Sequence, residues 1–264
     1  MLASKTERRN RNVDAMKTIA FYNLKGGVGK TATAVNMAWH AARWKHRTLL
    51  WDLDPQGAAS FYLGVDQDNP GYKAGSLLKG KQPMGRLKRE TRWPHLDAVP
   101  ADISMRNADV KLVENGGGKN RLKELIAPFG ESYELMLLDC PPTLSPLAES
   151  VFAAADYLFV PVIPTHLSLR AFEQVLDWLD SKNIKNLQVV PFFNMVDRRR
   201  DLHVQMLVKR PAVMKNALKT WIPYSTHVEQ MGDHRAPVGE FAPYTPAAQA
   251  FRALWFEVAG RLKL

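Results

Sequence analysis

The chain has a single cysteine, Cys140, in 264 residues. That excludes an internal disulfide and any multi-cysteine metal or iron–sulfur site within one subunit. Long hydrophobic runs are also missing, and no stretch approaches the roughly eighteen apolar residues of a membrane span. The opening MLASKTERRNRNVDA lacks the apolar segment of a secretory leader. These absences lead us to expect a soluble, cytoplasmic protein. There are no internal repeats and no low-complexity linkers, so nothing splits the chain into separate domains.

What is present is a sufficient apolar fraction, 46%, arranged in short runs that alternate with amphipathic segments. Strand-like runs are TIAFYN, RTLLWDLD, LDAVPA, YELMLLDC, DYLFVPVI, LQVVPFFN and TWIPYS. Helix-like segments are TATAVNMAWHAARW, ISMRNADVKLVEN, SPLAESVFAAA, SLRAFEQVLDWLDSK, a basic stretch over 201–219 and a last helix over about 245–262. Runs of four to six apolar residues without alternation suit strands covered on both faces. The expected fold is α/β: one domain over 16–264, with a mostly parallel sheet covered by helices on both faces. Residues 1–15 read as a basic flexible tail. Residues 64–95, with Gly64, Gly71, Gly75, Gly80, Gly85 and the cations Lys79, Lys81, Arg86, Lys88, Arg89 and Arg92, read as a looser basic surface insertion with short helices.

Between the first strand and first helix stands KGGVGKT, Lys25 to Thr31. That is the setting a phosphate-binding loop requires. Gly26, Gly27 and Gly29 let backbone N–H groups of the GGVGKT loop, Val28 included, turn toward phosphate oxygens, and the following helix aims its positive end at them. Lys30 is placed for the β and γ phosphates and the Thr31 hydroxyl for Mg²⁺. Acidic residues follow at strand ends: Asp52 and Asp54 in LLWDLDPQG, and Asp139 in LMLLDCPP. Beside a triphosphate such aspartates hold Mg²⁺ directly or through water, the role that fits Asp139 best. Asp54, ahead of the rigid Pro55, is placed to orient an attacking water.

KGGVGKT, DLDPQG and LLDCPP, in this order and spacing, resemble the deviant Walker-type ATPases of the ParA/MinD superfamily, nearest to ParA-type partition proteins. The likeness runs from about Met16 to the C-terminus and includes VPADISMRNADVKLV and IPYSTHVEQMGDHRAPVGEFAPYTPAAQAF. The resemblance implies a P-loop NTPase-like fold, ATP and Mg²⁺ as cofactors, and a homodimer that forms on ATP binding with two nucleotides across its interface. It also implies that Lys25 points at the partner's phosphates, where a preorganised cation stabilises charge developing on the transferred group. The family usually carries a second hydroxyl where this chain has Ala32, so one side-chain contact to the α phosphate is lost while the backbone N–H remains. PFFNMVDRRRD aligns with the family's strand and loop near the adenine, which makes Asn194 either a base reader or a structural asparagine, and Pro223 lies where the family's chain passes the base.

The 36 Lys and Arg against 26 Asp and Glu give a net charge of +10, which favours a polyanionic partner. ParA-type proteins bind DNA without sequence preference through basic residues of the C-terminal portion. The corresponding candidates are Arg198, Arg199, Arg200, Lys209, Arg210, Lys215 and Lys219, with Lys215 and Lys219 sharing one helical face. Relatives often have an arginine where this chain has His227, and Arg235 or the 198–200 cluster is expected to substitute. MinD-type relatives carry a membrane anchor beyond the core fold; here Phe251, Leu254, Trp255, Val258 and Leu262 are expected to pack into the core. The implied function is a weak, nucleoid-associated ATPase that partitions or positions a plasmid, chromosome or protein cargo and is stimulated by a ParB-like or adaptor partner. The alternative is a metabolic synthetase or assembly ATPase on the same nucleotide site without DNA binding.

Overall fold

The computed structural model describes residues 16–66, 85, 87–102, 109, 112 and 118–264. The basic tail 1–15, most of the expected helix ISMRNADVKLVEN and the greater part of the 64–95 insertion lie outside the described residues.

Among the described residues seven strands form one sheet in the order β3-β4-β2-β5-β1-β6-β7. They are β1 Lys17–Phe21, β2 Thr48–Asp52, β3 Arg89–Glu90, β4 Leu96–Val99, β5 Leu135–Asp139, β6 Tyr157–Val162 and β7 Gln188–Phe193. All neighbours are parallel except β3, which runs antiparallel to β4 at one edge. Pro191 is accommodated because β7 is the other edge strand.

The helices are α1 Lys30–Arg43, α2 Ala58–Leu63, α3 Arg121–Ile126, α4 Pro146–Ala154, α5 His166–Ser181, α6 Asp201–Val208, the short α7 Thr226–Glu229, α8 Met231–His234 and α9 Val238–Phe241, and α10 Pro246–Leu262. Two apolar layers sandwich the sheet. Ile19, Phe21, Leu50 and Leu137 face α1, α2 and α10 on one side. Ala20, Tyr22, Leu49 and Leu138 face α3, α4, α5 and α6 on the other. Both faces of each central strand are therefore dry, which is why their sequences do not alternate.

Two expected elements are corrected. TWIPYS forms only a single bridge, Val196 to Pro223, because Pro223 has no N–H to continue a ladder. The segment still follows the end of β7, with the Ile222 N–H on the Phe193 carbonyl and the Tyr224 N–H on the Val196 carbonyl. The basic stretch 201–219 is helical only as far as Val208; Pro211 stops it, and a 3-10 turn, Ala212–Met214, follows. Lys215 and Lys219 are thus not on a shared helical face.

The last helix is a core element. Thr245 caps it by accepting the Ala248 N–H, and Phe251, Leu254, Trp255, Val258 and Leu262 are buried against α1 and the sheet. No helix of the described residues is long and apolar enough to cross a membrane. Trp255→Ala is expected to cost about 3–5 kcal/mol in urea unfolding, whereas Phe256→Ala, on the exposed face, should stay within about 1 kcal/mol.

Candidate phosphate-binding site

β1 delivers the glycine-rich loop to the edge of the sheet where the strands' carboxyl ends lie, and two asparagine side chains hold it there. Asn23, fully buried, donates its amide to the Pro161 carbonyl at 2.8 Å and accepts the Lys25 N–H at 2.9 Å. Asn194, at the end of β7, donates its amide to the Val28 carbonyl at 2.6 Å. The amide packs so closely that a Cβ on Gly29 would lie 2.3 Å from its nitrogen, and Gly29 also sits at φ 88°. Only glycine meets both conditions. Gly29 opens α1 with no side chain capping the first turn, so its free N–H groups face the loop's concavity.

Charge is concentrated beneath that loop. Lys30 is only 7% exposed; burial lowers its pKa, opposed chiefly by the nearby Asp139 carboxylate. Asp139 is 1% exposed, and neither of its oxygens makes a well-formed hydrogen bond within the protein. Burial pushes its pKa far up, the neighbouring Asp52 pushes the same way, and the Thr31 hydroxyl and Lys30 oppose them. Two orphaned carboxylate oxygens beside a hydroxyl are the oxygen ligands a hard divalent cation would take, and the buried ammonium next to them would pair with phosphate. The residues present therefore fit Mg²⁺ together with a polyphosphate.

Asp52 lies in register beside Asp139 on β2, yet its oxygens are already engaged. Oδ2 accepts the Ser60 hydroxyl at 2.7 Å and the Ser60 N–H at 2.8 Å, and Oδ1 accepts the Asp54 N–H at 3.2 Å. Burial nevertheless raises its pKa to about 6. Asp52 thus braces the turn that carries Asp54, whose own Oδ1 accepts the Gln56 N–H at 3.0 Å. Lys25 is half-buried, and among the described residues its ammonium has no partner. Cys140 is buried, with its thiol pushed up chiefly by burial.

A small cavity of about 40 Å³ opens beside Gly29 and Ala32 and is lined by Asn194, Pro223, Tyr224 and Phe251 among others. The structure therefore brings Asn194 and Pro223 together next to the loop, though the Asn194 amide N–H is spent on Val28.

The basic candidates separate into two groups. Arg199 grips Asp197 with two bonds of 2.8 and 2.9 Å, which holds that carboxyl down to about 2, and Arg200 lies 3.7 Å from it. Arg210 donates to the Ala217 carbonyl. Arg235 is engaged on α2, with the Phe61 carbonyl and Asp66 as partners, and packs over the Phe61 ring. Arg198, Lys209, Lys215 and Lys219 are exposed and form no ion pair among the described residues.

Residues 16–189 match a family described as an AAA domain. The chromosome-partitioning ATPase Soj of Treponema pallidum is 31% identical over 256 residues, covering 93% of this chain and 98% of that protein. Soj of Thermus thermophilus is 34% identical over 255 residues, covering 94% and 97%. The chain belongs to the ParA/MinD superfamily of ATPases. Among solved structures, cobyrinic acid a,c-diamide synthase of Mycobacterium smegmatis with a bound ATP analog and magnesium aligns with TM-score 0.80, 23% identity and coverage of 94% and 96%. The Cyanothece McdA(D38A)–ATP complex aligns with TM-score 0.80, 20% identity and coverage of 93% and 97%. At such identities these structures attest the fold, that of a P-loop ParA/MinD-type ATPase.

Two residues of this ParA/MinD site escaped the sequence reading. Asn23 stands two positions before Lys25, and Ser60 six after Asp54; both have partners far away in the chain or act through the backbone.

The orphaned Asp139 carboxylate carries a testable cost. Its folded pKa is raised, so ionisation penalises the folded state and not the unfolded one. Asp139→Asn is expected to stabilise the nucleotide-free protein by about 1–3 kcal/mol at neutral pH, read as a raised melting temperature. The gap from wild type should be small below about pH 4, where the carboxyl is protonated in both states, widen as pH rises from there toward the folded pKa, and level off above it.

Proposed function

We propose that this ParA/MinD-superfamily member is an ATPase that dimerises on ATP, binds DNA without sequence preference and positions a plasmid, chromosome or protein-complex cargo. A ParB-like or adaptor protein would stimulate its weak hydrolysis and release it from DNA. The observation that carries this reading is the pair of lysines. Lys30 is buried beside Asp139, whereas Lys25 has its backbone fixed by Asn23 and its ammonium unpartnered. The relatives named as chromosome-partitioning ATPases give the reading its direction.

In this assignment the loop N–H groups from Gly26 to Ala32 and the Lys30 ammonium bind the β and γ phosphates. Thr31 and Asp139 hold Mg²⁺, which when bound neutralises phosphate charge. Asp52 acts by bracing the Asp54 turn; Asp54 orients the attacking water. Lys25 reaches the γ phosphate of the partner subunit's nucleotide, where a cation matched to developing negative charge lowers the barrier. Ala32 supplies its N–H and no hydroxyl. Asn194 and Pro223 border the base, with Asn194 also fixing the loop.

Lys25→Ala should leave nucleotide binding by one subunit intact while abolishing ATP-dependent dimerisation and stimulated phosphate release. Asp54→Ala should trap the ATP dimer with hydrolysis down by about two orders of magnitude or more. Undiminished hydrolysis in Lys25→Ala rejects the shared site. The unpaired cations Arg198, Lys209, Lys215 and Lys219 are the assigned phosphate contacts. Each charge reversal among them should weaken binding of the ATP-loaded protein to duplexes of any sequence and lower the log-salt slope by about one. Arg199→Glu should do less, because Asp197 already occupies that guanidinium.

A further inference from the structure

At the end of α1 away from the phosphate loop, α1 and α10 part to leave a groove of about 730 Å³. The length of α1 puts this groove about 20 Å from Lys30. Its walls are aromatic. Trp39 lies under α9, where Gly239 packs so tightly that a Cβ would meet the indole at 2.4 Å. Trp44 and Phe256 meet edge to face at 5.0 Å on the rim, and Tyr244 is 90% exposed. An arrangement with this much aromatic surface facing water is the mark of a contact site.

The polar groups of the groove are selective in sign. Among the described residues its lining includes two arginines, Arg43 and Arg252, and no carboxylate. Arg43 stacks over Trp39 at 4.9 Å and Arg252 over Phe256 at 5.7 Å, which holds both guanidiniums in place with their edges free to bind an anion. His40 also lines the groove. It is 5% exposed, and its Nε2 has no hydrogen-bond partner. Burial, with help from Arg43 and Arg252, pushes its pKa down to about 4, so the imidazole is neutral and the two arginines are close enough to act on it.

We propose that this groove is a docking site for an acidic peptide segment of a partner protein, with its carboxylates on Arg43 and Arg252. Nucleic acid fits less well. Trp39 is buried and Phe256 already carries the Arg252 guanidinium, which leaves a base only Trp44 and Tyr244 on the rim to stack on. The site stands apart from the nucleotide and from the cations assigned to DNA, and so does not rest on that reading.

The test is fluorescence anisotropy with a set of fluorescein-labelled hexapeptides. Each carries three or four Asp or Glu, and Lys-substituted counterparts and a twenty-residue oligo-dT are run alongside. The expected result is selective binding of acidic peptides that weakens by about tenfold or more in Arg43→Glu and in Arg252→Glu. Those surface variants should keep wild-type circular dichroism and ATPase activity. Failure of every acidic peptide to bind, binding unchanged in both arginine variants, or tighter arginine-dependent binding of oligo-dT would each overturn the proposal.

Discussion

The bond from the Asn194 amide to the Val28 carbonyl, 2.6 Å long, ties the phosphate loop to a strand two places away in the sheet. Its counterpart at the other end of the loop is Asn23, which links the Lys25 N–H to β6. With both ends clamped, the peptide groups of the loop are oriented before any ligand arrives, so little ordering remains to oppose phosphate binding. The same clamp makes Gly29 obligatory, because the Asn194 amide fills the space a side chain would need. It also fixes the start of α1, and with it the position of Lys30.

That rigidity confines charges that would otherwise relax. Asp52 and Asp139 are brought into register by the pairing of β2 with β5, and only Asp52 receives full hydrogen bonding from its surroundings. Asp139 is left to Lys30 and to whatever cation binds. A buried carboxylate in that condition destabilises the empty protein and is relieved by ligand, so binding and folding stability are linked at one residue. A site of this kind gains ligand affinity from the strain its unliganded state carries.

How much of this was legible in the sequence follows from the range of each interaction. KGGVGKT and the aspartates at strand ends are local patterns and lie where the pattern placed them, as do most of the strands and helices among the described residues. Asn23 and Ser60 were not legible, because an asparagine in a loop looks like any turn residue until its partner, 138 positions away, is known. TWIPYS has strand composition but no ladder, since Pro223 removes the donor that would extend it. The basic stretch beyond Pro211 has helical spacing but no helix. Asn194, open from sequence to a base-reading or structural role, is seen to brace the loop while lining the cavity beside it.

Charge is the property that composition represents least faithfully. A net of +10 treats every cation as available, but ion pairing divides the basic residues into those that build the protein and those that face outward. Arg199 and Arg200 converge on Asp197, Arg235 pins α8 to α2, and Arg210 closes a turn. Phosphate contact by any of these would first break a pair or bond, which offsets much of the gain. The cations that remain near the end of β7 are monodentate lysines and Arg198, chemistry suited to a phosphate backbone and not to reading bases. Arg43 and Arg252 differ from both sets: they are positioned by aromatic faces and, among the described residues, pair with no carboxylate, so their fixed geometry favours a discrete anion over a diffuse one.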